Sequence, residues 1–199
     1  MNRIKSLGAL LALSLSLGIV PACAFGTRTT ELEYPPRSED AARQASASED
    51  AEAKRMIAIA LLSDERDDKR AVGHVRNTFG IKTARVESPT NLPEWVKRAF
   101  HIELKKAGYK VIKDNSSKRL RITGSILEVY CDAYFRYGAK VSLMIQVRDN
   151  EKDLFTRKYV GEGSAGWSSG EADGYAESLA LALADAVRKF IADLDFKFA

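Results

Sequence analysis

Histidine and cysteine are scarce in this chain of 199 residues, two of each, and the scarcity narrows its chemistry. His74 and His101 are far from any serine or cysteine nucleophile pattern, and there is no nucleophile elbow and no His-Glu-x-x-His pair. The two cysteines, Cys23 and Cys131, allow one disulfide at most. A surplus of one charge sign is also missing. The formal charge is +4, and subtracting Arg3 and Lys5 with a cleaved leader leaves +2. The remaining lysines and arginines are scattered among acids and form no stripe, which argues against a nucleic-acid partner. Proline is sparse at 5 residues, while 45% hydrophobic and 29% charged residues are ordinary for a globular domain.

What the chain does have is an export signal. Arg3 and Lys5 precede the apolar run Leu7–Val20, and Pro21-Ala22-Cys23 closes it with small residues. The run is too short and wrongly flanked for a permanent transmembrane helix and reads as a signal peptide over residues 1–22. Two cleavage sites overlap there. Val20-Pro21-Ala22-Cys23 resembles a lipobox, in which Cys23 becomes the acylated first residue, although Pro21 is an unusual occupant. Ala22-Cys23-Ala24 also fits the small-x-small site of ordinary signal peptidase, which would release a soluble periplasmic chain starting at Phe25. An acylated Cys23 would hold the chain firmly at the membrane, because each buried methylene contributes about 0.8 kcal/mol. It would also leave Cys131 as a buried free thiol, whereas a soluble chain could form a Cys23–Cys131 disulfide in the oxidising envelope. Ala24 in place of an aspartate, by resemblance to enterobacterial lipoproteins, favours the periplasmic face of the outer membrane.

Four segments follow from the pattern: the signal at 1–22, an extended arm at 23–36, a polar stretch at 37–54 and one domain at 55–199. In the arm, Thr30, Leu32 and Tyr34 alternate with Glu31 and Glu33 before Pro35-Pro36. Residues 37–54 hold no large apolar side chain and read as an Ala/Ser/Glu tether with a reach on the order of 25 Å. Met56–Leu62 is a short apolar run of the kind found in central strands. A long connection over 63–90 follows, of a length that tends to be functional or to hide a small hairpin, with a short strand expected at Lys82–Val86. This connection and the wet face of the later strands are the expected interface surfaces. Asn91 and Glu94 form a capping-box pattern for a helix through Ala107, stopped by Gly108. A short strand over Tyr109–Lys113 and a polar turn over Asp114–Lys118 come next. Then come three longer strands. The first changes apolar phase between Ile126 and Leu127, as a bulge would. The second alternates strictly through Val141, Leu143, Ile145 and Val147. The third returns over Leu154–Val160, and a long amphipathic helix from Tyr175 to Leu194 ends the chain, with Ser168 and Glu171 spaced to cap it. The expected fold is α+β: a mixed, largely antiparallel sheet of about five strands with two helices packed on one face.

Motifs that could carry chemistry have plainer explanations. Gly161-x-Gly163-x-x-Gly166 matches a dinucleotide fingerprint, but the helix after it leads to no second parallel strand. It reads as a flexible strand-to-helix connection. Asp64, Glu65, Asp67 and Asp68 lack the alternating spacing and the glycine of a calcium loop, and Arg66, Lys69 and Arg70 neutralise them. Trp167 reads as a plug at the edge of the core. Glu128 and Asp132 are the acids to test first for an unrecognised hydrolase.

Taken together, Cys23-Ala-Phe-Gly26, Leu32-x-Tyr34-Pro35, Ile57–Leu62 leading to Asp64-x-Arg66, and Gly73, Asn77, Gly80, Thr83 and Val86 resemble the YajG family of bacterial lipoproteins. So do Trp95-Val96, Ala99, Glu103-Leu104 and Ala107-Gly108-Tyr109. The resemblance covers nearly the whole mature chain and strengthens the lipid reading of Cys23; it implies no activity and no catalytic residue. In layout the domain is also similar to small α+β domains of envelope accessory proteins, an analogy of fold only. The expectation is a lipid-anchored, non-enzymatic envelope protein without cofactor or metal, binding another envelope component. The alternative is a binder of a small or lipid-like ligand in a cleft between helices and sheet.

Overall fold

The computed structural model describes residues 26–34, 56–112, 120–150, 152–166 and 171–198. Cys23, the 37–54 stretch, the Asp114–Lys118 turn, Trp167 and Ser168 lie outside the described residues. Eight strands form one sheet: β1 (Gly26–Thr29), β2 (Met56–Asp64), β3 (Ala71–Arg76), β4 (Lys82–Glu87), β5 (Lys110–Ile112), β6 (Leu120–Ala133), β7 (Tyr137–Asp149) and β8 (Lys152–Ala165). The helices are α1 (Leu92–Lys106) and α2 (Glu171–Phe198). None of the described helices is long and apolar enough to cross a membrane.

The α+β class holds, but the sheet is larger than about five strands and is mixed rather than largely antiparallel. β1–β4, β2–β5, β2–β6 and β3–β6 pair in parallel, against antiparallel β3–β4, β6–β7 and β7–β8. The reason lies at one edge of β6. β2 pairs with its first half, from Leu120 to Ile126, and β3 with its end, from Cys131 to Ala133. One chain path thus runs along β6 twice in the same direction, and the 65–70 excursion interrupts it. Arg66 holds that excursion in place. Its buried guanidinium donates to both Asp64 carboxylate oxygens at 3.0 Å and to the carbonyls of Lys69 and Ala71 at 2.6 Å.

Local rules account for the rest. The Asn91 side chain accepts from the Glu94 N–H at 3.3 Å and caps α1, and Gly108, at φ +87°, supplies the left-handed residue after it. The register of β6 on β7 slips between Ile126 and Glu128, so one bulge keeps Ile122, Ile126, Val129 and Cys131 on the core face. α1 lies on β2 and β5, α2 lies on β8, β7 and β6, and the helices meet at Phe100 and Phe190, ring centroids 5.4 Å apart.

The glycine run is part of the sheet, not a flexible connection. β8 continues to Ala165, and Gly161 and Gly163 face the backbone of α2. A Cβ at Gly161 would overlap the Ala182 carbonyl and Ala186 N–H; one at Gly163 would overlap the Ser178 carbonyl and Ala182 N–H. Glycine is needed here for helix-on-strand contact, which is why a phosphate-loop spacing arises without a phosphate loop. α2 also covers the outer edge of β8: Asp185 accepts from the Glu162 N–H at 3.0 Å, and Lys189 donates to the Val160 carbonyl at 2.9 Å.

The arm belongs to the domain. β1 pairs with β4 from Gly26↔Ala84 to Thr29↔Glu87, and the Leu32 N–H reaches Thr90 Oγ1 at 2.9 Å. Trp95 Nε1 donates to the Glu33 carbonyl at 3.2 Å, and the buried Tyr34 hydroxyl donates to Glu103 Oε1 at 2.8 Å. Residues 37–54 therefore fall between β1 and β2 and add nothing to the distance between Cys23 and the sheet.

Candidate functional site

Two hairpin tips meet at one end of the sheet. Between β3 and β4, the Asn77 side chain accepts from the Phe79 and Ile81 N–H groups, each at 3.0 Å, and Gly80 takes φ +78°. This turn aims Phe79 and Ile81 outward. Between β6 and β7, the rings of Tyr134 and Phe135 lie 4.0 Å apart. The tips are fastened to each other. Arg76 pairs with Asp132 at 2.7 Å and donates to the Gly80 carbonyl at 2.8 Å, while the Tyr134 hydroxyl donates to the Thr78 carbonyl at 3.1 Å. The result is a held cluster of exposed apolar side chains: Phe79 at 85%, Phe135 at 69%, Ile81 at 60% and Tyr134 at 38%. Four of the six exposed large apolar residues among those described are gathered here, and such a gathering marks an interaction surface. Exposed Lys82 and Arg136 flank it, with the Lys82 ammonium 5.8 Å from the Tyr130 ring centre.

Beside the tips an open groove of about 610 Å³ runs over β6, β7 and β8 to the side of α2. Its lining is about half polar and half apolar, with Tyr130, Arg136, Lys140, Glu162, Asp185 and Arg188 supplying the polar part. Several of these charges already serve the fold: Lys140 pairs with Glu128 at 2.9 Å, Asp185 with Lys189 at 2.7 Å, and Arg188 with Glu103 at 3.2 Å.

The acids singled out in the sequence are likewise engaged. Glu128 accepts from Ser142 at 3.2 Å in addition to Lys140, and Asp132 is held by Arg76. Asp64 belongs to the Arg66 knot. Burial works against ionisation there, yet the Arg66 hydrogen bonds and charge and the Lys69 ammonium keep its carboxyl below the ordinary range. Asp68 accepts from the Arg70 and Ala71 N–H groups at 3.1 Å, and Ser125 donates to Glu65 at 2.5 Å. Among the described residues no three His, Cys, Asp or Glu side chains converge as a metal site would require.

His74 sits on β3 beside the Tyr130 ring, 5.9 Å between centroids, and burial and then Lys82 push its imidazole toward the neutral form. His101 is on the exposed side of α1, where partial burial and Lys105 have the same effect. Cys131 is a fully buried free thiol, pushed up to about 12 by desolvation and then by Asp132. Sequence reasoning marked the 63–90 connection as an interface surface but missed its meeting with the Tyr134-Phe135 tip. Phe79-Gly80-Ile81 and Tyr134-Phe135 are more than fifty residues apart, and only the parallel pairing of β3 with β6 brings them together.

No protein-family model and no curated protein sequence matches the chain. Solved structures match its fold. A Xanthomonas campestris protein of the DUF330 family is similar at 11% identity and TM-score 0.53, over 86% of this chain and 95% of that one. An uncharacterised protein is similar at 10% identity and TM-score 0.53, over 84% and 99%. A minor lipoprotein from Acinetobacter baumannii lies further away, at 8% identity, TM-score 0.43, and 72% and 94% coverage. The first two likenesses show a shared α+β fold that accounts for nearly the whole of each neighbouring chain.

Proposed function

We propose that this chain is a lipid-anchored, non-enzymatic protein of the bacterial envelope, attached through Cys23 to the periplasmic face of the outer membrane and binding another envelope component there. The observation that carries the reading is the place of β1: the sheet begins at Gly26, three residues after Cys23, and the arm that follows is bonded to α1. An acyl group on Cys23 would hold the folded domain itself at the bilayer, without a long spacer. The YajG-like residues support the same assignment, and an open groove of mixed polar and apolar lining suits a protein or peptide partner. A lipid-like ligand held between helices and sheet has less support, because α2 and β8 meet backbone to backbone at Gly161 and Gly163. The test is crosslinked affinity capture of the full-length protein from native membranes, with Cys23→Ser as control. Reproducible recovery of one envelope complex by the anchored form is expected. Capture of nothing above control would overturn the partner-binding reading.

A further inference from the structure

We propose that the paired hairpin tips are a second membrane contact, which seats Phe79, Ile81, Tyr134 and Phe135 in the interfacial layer of an anionic phospholipid bilayer. The inference deepens the anchored-protein reading but needs no acyl group to be tested.

Position along the sheet is the first argument. β1 runs parallel to β4, with Gly26 level with Ala84. Ile81 is three residues nearer the tip, about 10 Å along the strand. Cys23 is three residues upstream of Gly26, at most about 11 Å of extended chain. An acyl chain on Cys23 and the apolar tips would therefore reach the same plane from the same end of the domain. Of the two ends of β1, only this one would bring the tips to the bilayer.

Composition of the tips is the second argument. Aromatic and aliphatic side chains flanked by cations suit the boundary between headgroups and acyl chains, where a ring sits at headgroup level and Lys or Arg meets anionic lipid. Asp132, the acid at the end of β6, is already neutralised by Arg76, which leaves Lys82 and Arg136 to face phosphate.

Rigidity is the third. The Asn77 turn, the Arg76 bonds and the Tyr134–Thr78 bond hold the apolar groups outward in the free protein, so little ordering remains to be done on contact. An acylated Cys23 would already hold the chain at the bilayer, so the part of a second, apolar contact is to fix how the domain is oriented on it.

The test uses the mature chain with Cys23→Ser, which carries no lipid, in flotation with phosphatidylethanolamine/phosphatidylglycerol vesicles. Binding is expected, falling about tenfold or more for each of Phe79→Ser and Ile81→Ser. Lys82→Gln should lower it about fivefold, and only on the anionic vesicles. A Phe79→Trp variant should lose fluorescence to lipids brominated on the acyl chains. Unchanged thermal unfolding of these surface variants separates lost contact from lost fold. Two results would overturn the proposal: no vesicle binding with an unquenched Phe79→Trp, or a protein dimer in sedimentation that Phe79→Ser dissolves while vesicle binding stays the same. Neither result bears on partner capture through Cys23-anchored protein, so the two readings fail separately.

Discussion

The bond between Tyr34 and Glu103 decides whether the arm after Cys23 is part of the fold. Glu103 is buried on α1 and accepts from the Tyr34 hydroxyl at 2.8 Å, Lys106 at 3.0 Å and Arg188 at 3.2 Å. Lys106 and Arg188 are partly exposed, so each of those pairs contributes only about 0.2–1 kcal/mol. The Tyr34 bond is different: donor and acceptor are both buried, and hydrogen bonds to a charged group contribute about 1.5–3 kcal/mol. Tyr34→Phe should therefore destabilise the chain by about 2 kcal/mol. Glu103→Ala strands the Tyr34 hydroxyl and opens space beside α2, a loss of about 3 kcal/mol. The double variant should lose little more than Glu103→Ala alone, because no hydroxyl is then left stranded, so the coupling should be about 2 kcal/mol. Urea unfolding of the mature Cys23→Ser chain, followed by tryptophan fluorescence, measures all three. Additive losses, with coupling under about 0.5 kcal/mol, would refute the bond and with it the seating of the arm on α1.

The same carboxylate sets a pH dependence. Burial tends to raise the Glu103 carboxyl, but the Tyr34 hydroxyl, Lys106 and Arg188 outweigh it, and the group titrates below its ordinary 4.5. The stability it contributes is present above 4.5 and is lost as pH falls through the lower folded-state value, so Glu103→Gln should flatten the acid limb of a urea-midpoint series. Gly163→Ala should cost about 1–3 kcal/mol or more by driving α2 off β8, seen as a lower unfolding temperature; unchanged stability would mean that the helix does not touch the strand there. Cys131, pushed up to about 12 from 9.0, should react with iodoacetamide about a thousandfold more slowly in the folded chain than in urea, and comparable rates would show an open core.

Much of this fold was readable because local rules set it. The Asn91 cap, the strict alternation of β7 and the phase change that became the β6 bulge each depend on neighbours within a few residues. The length of the 63–90 connection hinted at a hairpin, and β3 does pair with β4, but its bounds were not readable: Ala71–Arg76 has weak alternation, follows a charge cluster, and also pairs with β6, more than fifty residues later. The same long-range pairing explains why the sheet is larger and more parallel than a meander with two helices suggests. The Gly161–Gly163 run was legible as a spacing but not as a contact, since its meaning depends on Ala182 and Ala186 of α2. The hairpin tips were hidden for a related reason: each is a short, ordinary turn by itself, and exposure acquires meaning only when the two are adjacent.

Intact-mass analysis of the protein extracted from native membranes tests the central claim most directly. The account predicts a chain that starts at Cys23 and carries the added mass of a diacylglyceryl group and an amide-linked acyl chain. A chain of unmodified mass starting at Phe25 would contradict it, because the sheet would then begin almost at a free N-terminus with no acyl group to anchor it.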